Sequence, residues 1–364
     1  KPYVIYGYAA VPENKTLTID AGAKIFFHDN SGLIIDNKAT LKTNGTLNNP
    51  VVFESDRLEF RFNDVPGQWG TIWMRAGSKD NELNYTTIKN GIVGLLVDSI
   101  GSVATPTLHI KNSQLYNNSN YGILGREANI LGENVVIGNT GQSALACTTG
   151  GTYNFTHCTF ANYWNNGFRI FPTLAIDNFL QVSETEVFVA DLIEANFNNC
   201  IIYGNEQREL SLLEDSAAAF NFNFSNCLIR FEDPNGDFSD DANYDFSNQE
   251  LYTNIVKNSD PVFLDTEMND FNIESGESGA DGIGNSTTAS QVPIDANGTK
   301  IGYIMYNGFD AGFETELANA FNQLRAEGAN ELILDLRYNG GGYGYIAGDI
   351  ASLITGQFKG EVIS

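Results

Sequence analysis

The sequence predicts an all-β solenoid, a parallel β-helix, over residues 1–285, followed by a partial α/β segment over 300–364. Three observations predict it. Short alternating apolar runs recur at spacings mostly in the twenties. Asn, Asp and Gly punctuate those runs. After residue 299 the period of two gives way to alternating strand and helix patterns.

The first repeat lies in "TLTIDAGAKIFFHDNSGLIIDNKATLKTNGTLNNPVVFES" (16–55), where Leu17/Ile19, Ile25/Phe27 and Leu33/Ile35 alternate with polar residues. Each run is too short for a helix. A second frame recurs in "YTTIKNG", "KNSQLYNN", "ENVVIGN", "THCTFAN", "NNCIIYGN" and "SNCLIRF". It places Thr86, Ser113, Asn134, Cys158, Cys200 and Cys227 in one column, at spacings of 27, 21, 24, 42 and 27. The spacing of 42 means either two coils or one coil with an insertion around 171–190. Leucine-rich and helical repeats lack their required patterns here. Stacked coils of about three strands each remain. Cysteines in one inward column suit a ladder of reduced thiols.

Composition narrows the function classes. The chain has 364 residues, is 42% hydrophobic and 18% charged, and carries a net charge of −25. That charge repels phosphate backbones, so nucleic acid is not an expected partner. No apolar run is long enough to span a membrane. The four cysteines (Cys147, Cys158, Cys200, Cys227) and three histidines (His28, His109, His157) show no metal-ligand spacing. A cofactor is not expected.

Residues 1–285 resemble right-handed parallel β-helix proteins of the pectin-lyase-like type. Among these they are most similar to secreted or surface lipoproteins of Gram-negative bacteria. The resemblance rests on 1–47, on "VPGQWGTIWMRAGSKDNELNYTTIKNG" (65–91) and on "GADGIG" (279–284). It implies an extracytoplasmic setting, at the outer-membrane surface or secreted, with a lipid anchor expected upstream of Lys1.

Polysaccharide-cleaving relatives of that fold would need a convergent acid/base set. "FRI" (168–170) is followed by Phe171 rather than Lys, and Asp240-Asp241 are adjacent in a loop. A lyase or hydrolase is therefore the second alternative. Asp233, Asn235 and Asp237 alternate like the start of a calcium loop, but the central Gly and closing Glu of an EF-hand are missing. They are metal candidates against the plainer reading of a solvated acidic loop. Trp69 and Trp73 share a strand parity and are candidates for stacking on a sugar, although packing in the solenoid is the plainer role.

Residues 286–299 read as a linker or chain join, with a break near 289–292. Beyond it come a strand (300–309), a helix with Leu317, Phe321 and Leu324 at helical spacing (313–328), a continuous apolar strand "ELILDLR" (331–337), and a second helix (345–356). "ELANAFNQLRAEGANELILDLRYNGGG" and "AGDIASLI" resemble the opening of the catalytic domain of the C-terminal-processing serine peptidases. That resemblance implies that Gly340, Gly341 and Gly342 line the substrate groove and form part of an oxyanion hole, with Asp335 and Arg337 orienting the loop. Glycine suits this role because no Cβ blocks the approach of the backbone. The family's serine and lysine lie downstream of this motif. Ser352 sits within the second helix and Ser364 is terminal, so these 364 residues are expected to be inactive by themselves. A dinucleotide fingerprint (Gly342, Gly344, Ala347) is a rival, weakened because three residues separate the strand from the first glycine of the run.

The expected function is a non-catalytic envelope scaffold binding a surface glycan, an envelope protein or an extended peptide. The alternative is a serine endopeptidase whose Ser/Lys dyad lies outside these 364 residues.

Overall fold

The structure, a computed structural model, describes residues 2–99, 105–274, 276–284, 301–306, 314–326, 328–329, 331–336 and 342–354. The chain divides into two compact units, Lys1–Ile283 and Gly284–Ser364. The linker at 286–299 lies outside the described residues.

The first unit is mostly β, with 23 strands in one continuous hydrogen-bonded sheet. All of its strand pairings within that sheet are parallel, and they fall into three ladders visited in rotation. The first ladder runs through Pro2–Ile5, Lys24–Phe27, Val51–Ser55, Thr86–Lys89, 113–118, 135–140, Thr159–Asn162, Ile201–Gly204, Leu228–Ile229 and Val256–Lys257. The second begins Tyr8–Val11, Gly32–Ile35, Ile72–Met74, Val93–Asp98 and continues to Leu210–Leu213. The third begins Thr16–Asp20, Thr40–Asn44, Asn81–Asn84 and continues to Tyr252–Thr253.

Register decides what lies inside. In the third ladder Phe155, Phe197, Phe224 and Tyr252 are direct partners in successive layers. Their rings stack at 5.6, 5.0 and 5.7 Å, within 12° of parallel. Each such pair adds about 0.5–1.5 kcal/mol beyond its burial. In the first ladder, Ile88, Leu115, Ile137, Phe160 and Ile202 form a fully buried column.

The corner before the first ladder explains the recurrent asparagines. Tyr85, Asn112, Asn134, His157, Asn199, Asn226 and Asn254 all take φ between 44° and 55°. Asparagine tolerates this left-handed region better than most residues. Its amide also links layers. Asn134 Nδ2 donates to Asn112 Oδ1 at 2.9 Å, and Asn254 Nδ2 to Asn226 Oδ1 at 2.7 Å. This corrects the sequence frame by one place: Asn134 is a corner residue, and Val135 is the inward residue paired with Ser113.

The spacing of 42 resolves as one layer with insertions, because Thr159 pairs directly with Ile201. One insertion is the antiparallel hairpin Phe179–Gln181 with Val187–Val189. Cys158, Cys200 and Cys227 are free and buried, as is Cys147. Burial pushes the Cys200 thiol well up, reinforced by Cys158 and Cys227 on either side, so this middle thiol stays protonated. The end of the unit folds back across the first ladder. Asn139 Nδ2 donates to Thr266 O and Asn269 Oδ1, and a Cβ on Gly138 would lie 2.3 Å from Phe271. Glycine at 138 is thus what lets that aromatic ring approach the sheet.

One ion pair is wholly internal. Arg169 and Glu209 side chains are 1% and 0% exposed and meet at 2.7 Å. Glu209 also accepts from Thr173 N, Thr173 Oγ1 and Glu206 N, while Arg169 donates to Phe171 O, Asn162 O and Asn205 Oδ1. Removing one partner strands the other charge. Glu209→Ala or Arg169→Met is therefore expected to destabilise the unit by about 3–5 kcal/mol, read as a lowered denaturation midpoint. A paired apolar replacement at both positions recovers most of the loss.

Candidate functional site

In the second unit, Ile301–Met305 pairs in parallel with Glu331–Asp335, Met305 opposite Asp335. Helices Glu314–Ala326 and Gly344–Ile354 supply Leu317, Phe321, Leu324, Ile346 and Ile350 to a small core with Ile304 and Tyr306. The helical spacing read from Leu317, Phe321 and Leu324 is the buried face. The strand "ELILDLR" is less enclosed than its continuous apolar run suggests. Leu332 and Leu334 are half-buried, but Ile333 is 53% exposed and Leu336 39%. Alternation sends Ile333 to the face opposite Leu332 and Leu334, which pack against that core.

In sequence, the glycine run 340–342 falls between the carboxyl end of the second strand and the amino end of the second helix, the side on which α/β units hold their ligands. Asp335 ends the strand. Gly342 takes φ 130°, a conformation that a side chain would strain, and the helix starts two residues later. Amides opening this eleven-residue helix carry free donors and partial positive charge at its start. Arg337, Gly340 and Gly341 lie outside the described residues, as does Ser364. Ser352 donates its hydroxyl to Gly348 O at 2.9 Å within the helix. The dinucleotide reading does not fit: the strand stops at Asp335, well before Gly342.

In the first unit the two tryptophans do not share a face. Trp69 is 1% exposed, stacks on Phe27 at 4.2 Å and donates Nε1 to Lys89 O. The strand begins only at Ile72, so the alternation extrapolated from Trp69 to Trp73 does not hold through Gly70 and Thr71. Trp73 faces outward and is half-buried. It is in register with Ile34 and Leu96, and Leu96 with Leu124, all half-buried. They form an outward apolar stripe down the second ladder. Its rim is charged. Arg75 Nη1 donates to Asp36 at 3.0 Å and lies 5.5 Å over the Trp73 ring. Arg126 holds Asp98 with two bonds of 2.6 and 2.7 Å, and Trp73 Nε1 donates to Asp98 at 2.7 Å. Sequence reasoning named Trp73 but missed Ile34, Leu96 and Leu124, because only the layer register brings them together.

The calcium-loop candidates are otherwise engaged. Asp233 accepts the backbone amides of Asp237 and Phe238, and the Asp237 carboxylate lies 3.6 Å from Arg208. Asn235 lies exposed in the same turn. Among the described residues no group of three His, Cys, Asp or Glu side chains converges as a metal site. Asp241 accepts Asn243 N as a turn cap. A cavity of about 550 Å³ opens beside the first layer, among Val4, Ile5, Leu17, Ile19, Ile25 and Phe53, with Asp20 its one carboxylate. General acid/base cleavage needs two.

Asp177 closes a second-ladder strand and accepts Thr149 N at 2.7 Å. Burial raises its pKa to about 6, against the opposing pull of the Thr149 and Phe179 amides. A carboxyl raised in the folded state stabilises most when protonated, so its contribution is lost as pH rises from about 4 to 6. Asp177→Asn keeps the acceptor and removes the charge. It is expected to raise the melting midpoint near pH 7, by about 1–2 kcal/mol of stability, and to change it little near pH 4.

Comparison with known proteins bears on the second unit. The model of peptidase family S41 matches residues 300–363. A carboxyl-terminal-processing protease from Picosynechococcus sp. (strain ATCC 27264 / PCC 7002 / PR-6) is 44% identical over 63 residues. Those residues are 17% of this chain and only 15% of that relative's length. No solved structure matches.

Proposed function

We propose that this chain carries the opening of a C-terminal-processing serine peptidase domain, preceded by a right-handed parallel β-helix that serves it as a binding module. The observation that carries this reading is the S41 match over 300–363. The same stretch folds as strand, helix, strand and helix, with the glycine run 340–342 falling in sequence between its second strand and second helix. In this reading the amides of Gly340, Gly341 and Gly342 hold the oxyanion of the tetrahedral intermediate, while Asp335 and Arg337 fix the loop. The attacking serine and its lysine base would be supplied downstream in the reading frame. The proposed setting is extracytoplasmic, at the surface of a Gram-negative envelope or in the medium. Among the described residues no helix is long and apolar enough to cross a membrane.

A second reading is the non-catalytic scaffold, binding a surface glycan, an envelope protein or an extended peptide. It is favoured by the outward stripe of Ile34, Trp73, Leu96 and Leu124 with its Arg/Asp rim. An aromatic surface flanked by paired charges offers both stacking and hydrogen bonds.

The test uses the full reading frame containing this chain, given unstructured peptides with free carboxyl termini. Cleavage is expected, with a loss of about 100-fold when Gly341→Val displaces the amide donors. A folded product that cleaves nothing overturns the peptidase reading and leaves the binding one.

A further inference from the structure

Two phenylalanines of the first unit are almost wholly exposed: Phe60 and Phe168, each 95%. Large aromatic side chains rarely stand so free. Each has apolar company in its own loop, Leu58 at 68% and Val65 at 40% beside Phe60, Ile170 at 74% and Phe171 at 40% beside Phe168. Both loops leave the first ladder and enter the second, one between Val51–Ser55 and Ile72–Met74, the other between Thr159–Asn162 and Leu174–Asp177. They therefore leave the same corner of the stack, four layers or about 19 Å apart.

Neither loop is loosely held. The Phe168 loop is fastened by Arg169, buried between two exposed apolar neighbours and paired with Glu209. Folding the guanidinium inward turns Phe168 and Ile170 outward. The Phe60 loop is fastened by Lys89 Nζ to Asn63 Oδ1, Asn90 Nδ2 to Asn63 O, and Gln68 Nε2 to Phe62 O and Val65 O. Arg57 and Arg61 lie over the Phe62 ring at 3.6 and 4.7 Å. The second loop has no charge besides the neutralised Arg169.

We propose that these two loops dock the protein on a zwitterionic lipid surface, inserting Phe60 and Phe168 among the headgroups. Two rigid apolar tips in a line along one edge meet a flat surface, whereas a protein groove would call for anchors gathered at one point. The net charge of −25 repels anionic headgroups, so the surface is one without net charge.

The full chain is floated with phosphatidylcholine vesicles. It is expected to rise with them, and Phe60→Ser with Phe168→Ser and Ile170→Ser lowers the partition coefficient at least about tenfold. The single Phe168→Ser gives an intermediate loss. All of these side chains are exposed, so the thermal midpoint stays unchanged. Adding phosphatidylglycerol at low salt weakens the association. The proposal is overturned if the wild-type chain stays below the vesicles, or if the triple variant floats as well as the wild type. It is equally overturned if light scattering shows an oligomer that these substitutions dissolve, since the tips then cover a second copy.

Discussion

The first unit depends on one constraint: each strand must lie in parallel register on the strand one layer before it. A side chain then meets its own counterpart in the next layer, so like stacks on like. The ring column Phe155–Phe197–Phe224–Tyr252 and the thiol column Cys158–Cys200–Cys227 are consequences. The corner asparagines serve the same constraint, because a left-handed residue just before the first-ladder strands from Thr86 onward sets where those strands begin. A slip of one residue would turn every inward side chain out. Insertions are tolerated between ladders, where they leave register untouched, and so the protein's distinctive loops are found there.

Those loops and faces are what the stack offers for function. The second ladder presents Trp73 within an apolar stripe, and the corner loops present Phe60 and Phe168. Both features need a rigid support, supplied by sheet hydrogen bonds and by the buried Arg169–Glu209 pair. The second unit works on a different principle. There a short parallel pair and two helices form a small core, and the second helix opens shortly after Gly342. The family match is confined to that unit, and it is the part of the chain for which the reaction class can be argued from residues.

Much of this was legible in the sequence. Alternation and Asn/Gly punctuation gave the short strands and their repeat, and the helical spacing of Leu317, Phe321 and Leu324 gave the buried face of the first helix. Register was less legible. Asn134 and Val135 both satisfy a loose repeat frame, and it takes the positive φ at Asn134 and the pairing of Val135 with Ser113 to separate them. Trp69 and Trp73 share a parity in sequence, yet the strand begins only at Ile72, and they part company. The stripe through Ile34, Trp73, Leu96 and Leu124 joins residues far apart in sequence, and no local pattern marks it. Arg169 gave no local sign of burial either, since its partner Glu209 is 40 residues away.

The layer assignment across the longest insertion is the sharpest point to test, because it sets the register of every later strand. Thr159→Cys and Ile201→Cys, introduced together and oxidised gently, report on it through peptide mapping. A ready disulfide is expected between these partners, and none for the pair Val136→Cys with Ile201→Cys, two layers apart at about 9.6 Å. Equal cross-linking of both pairs, or of neither, would contradict it.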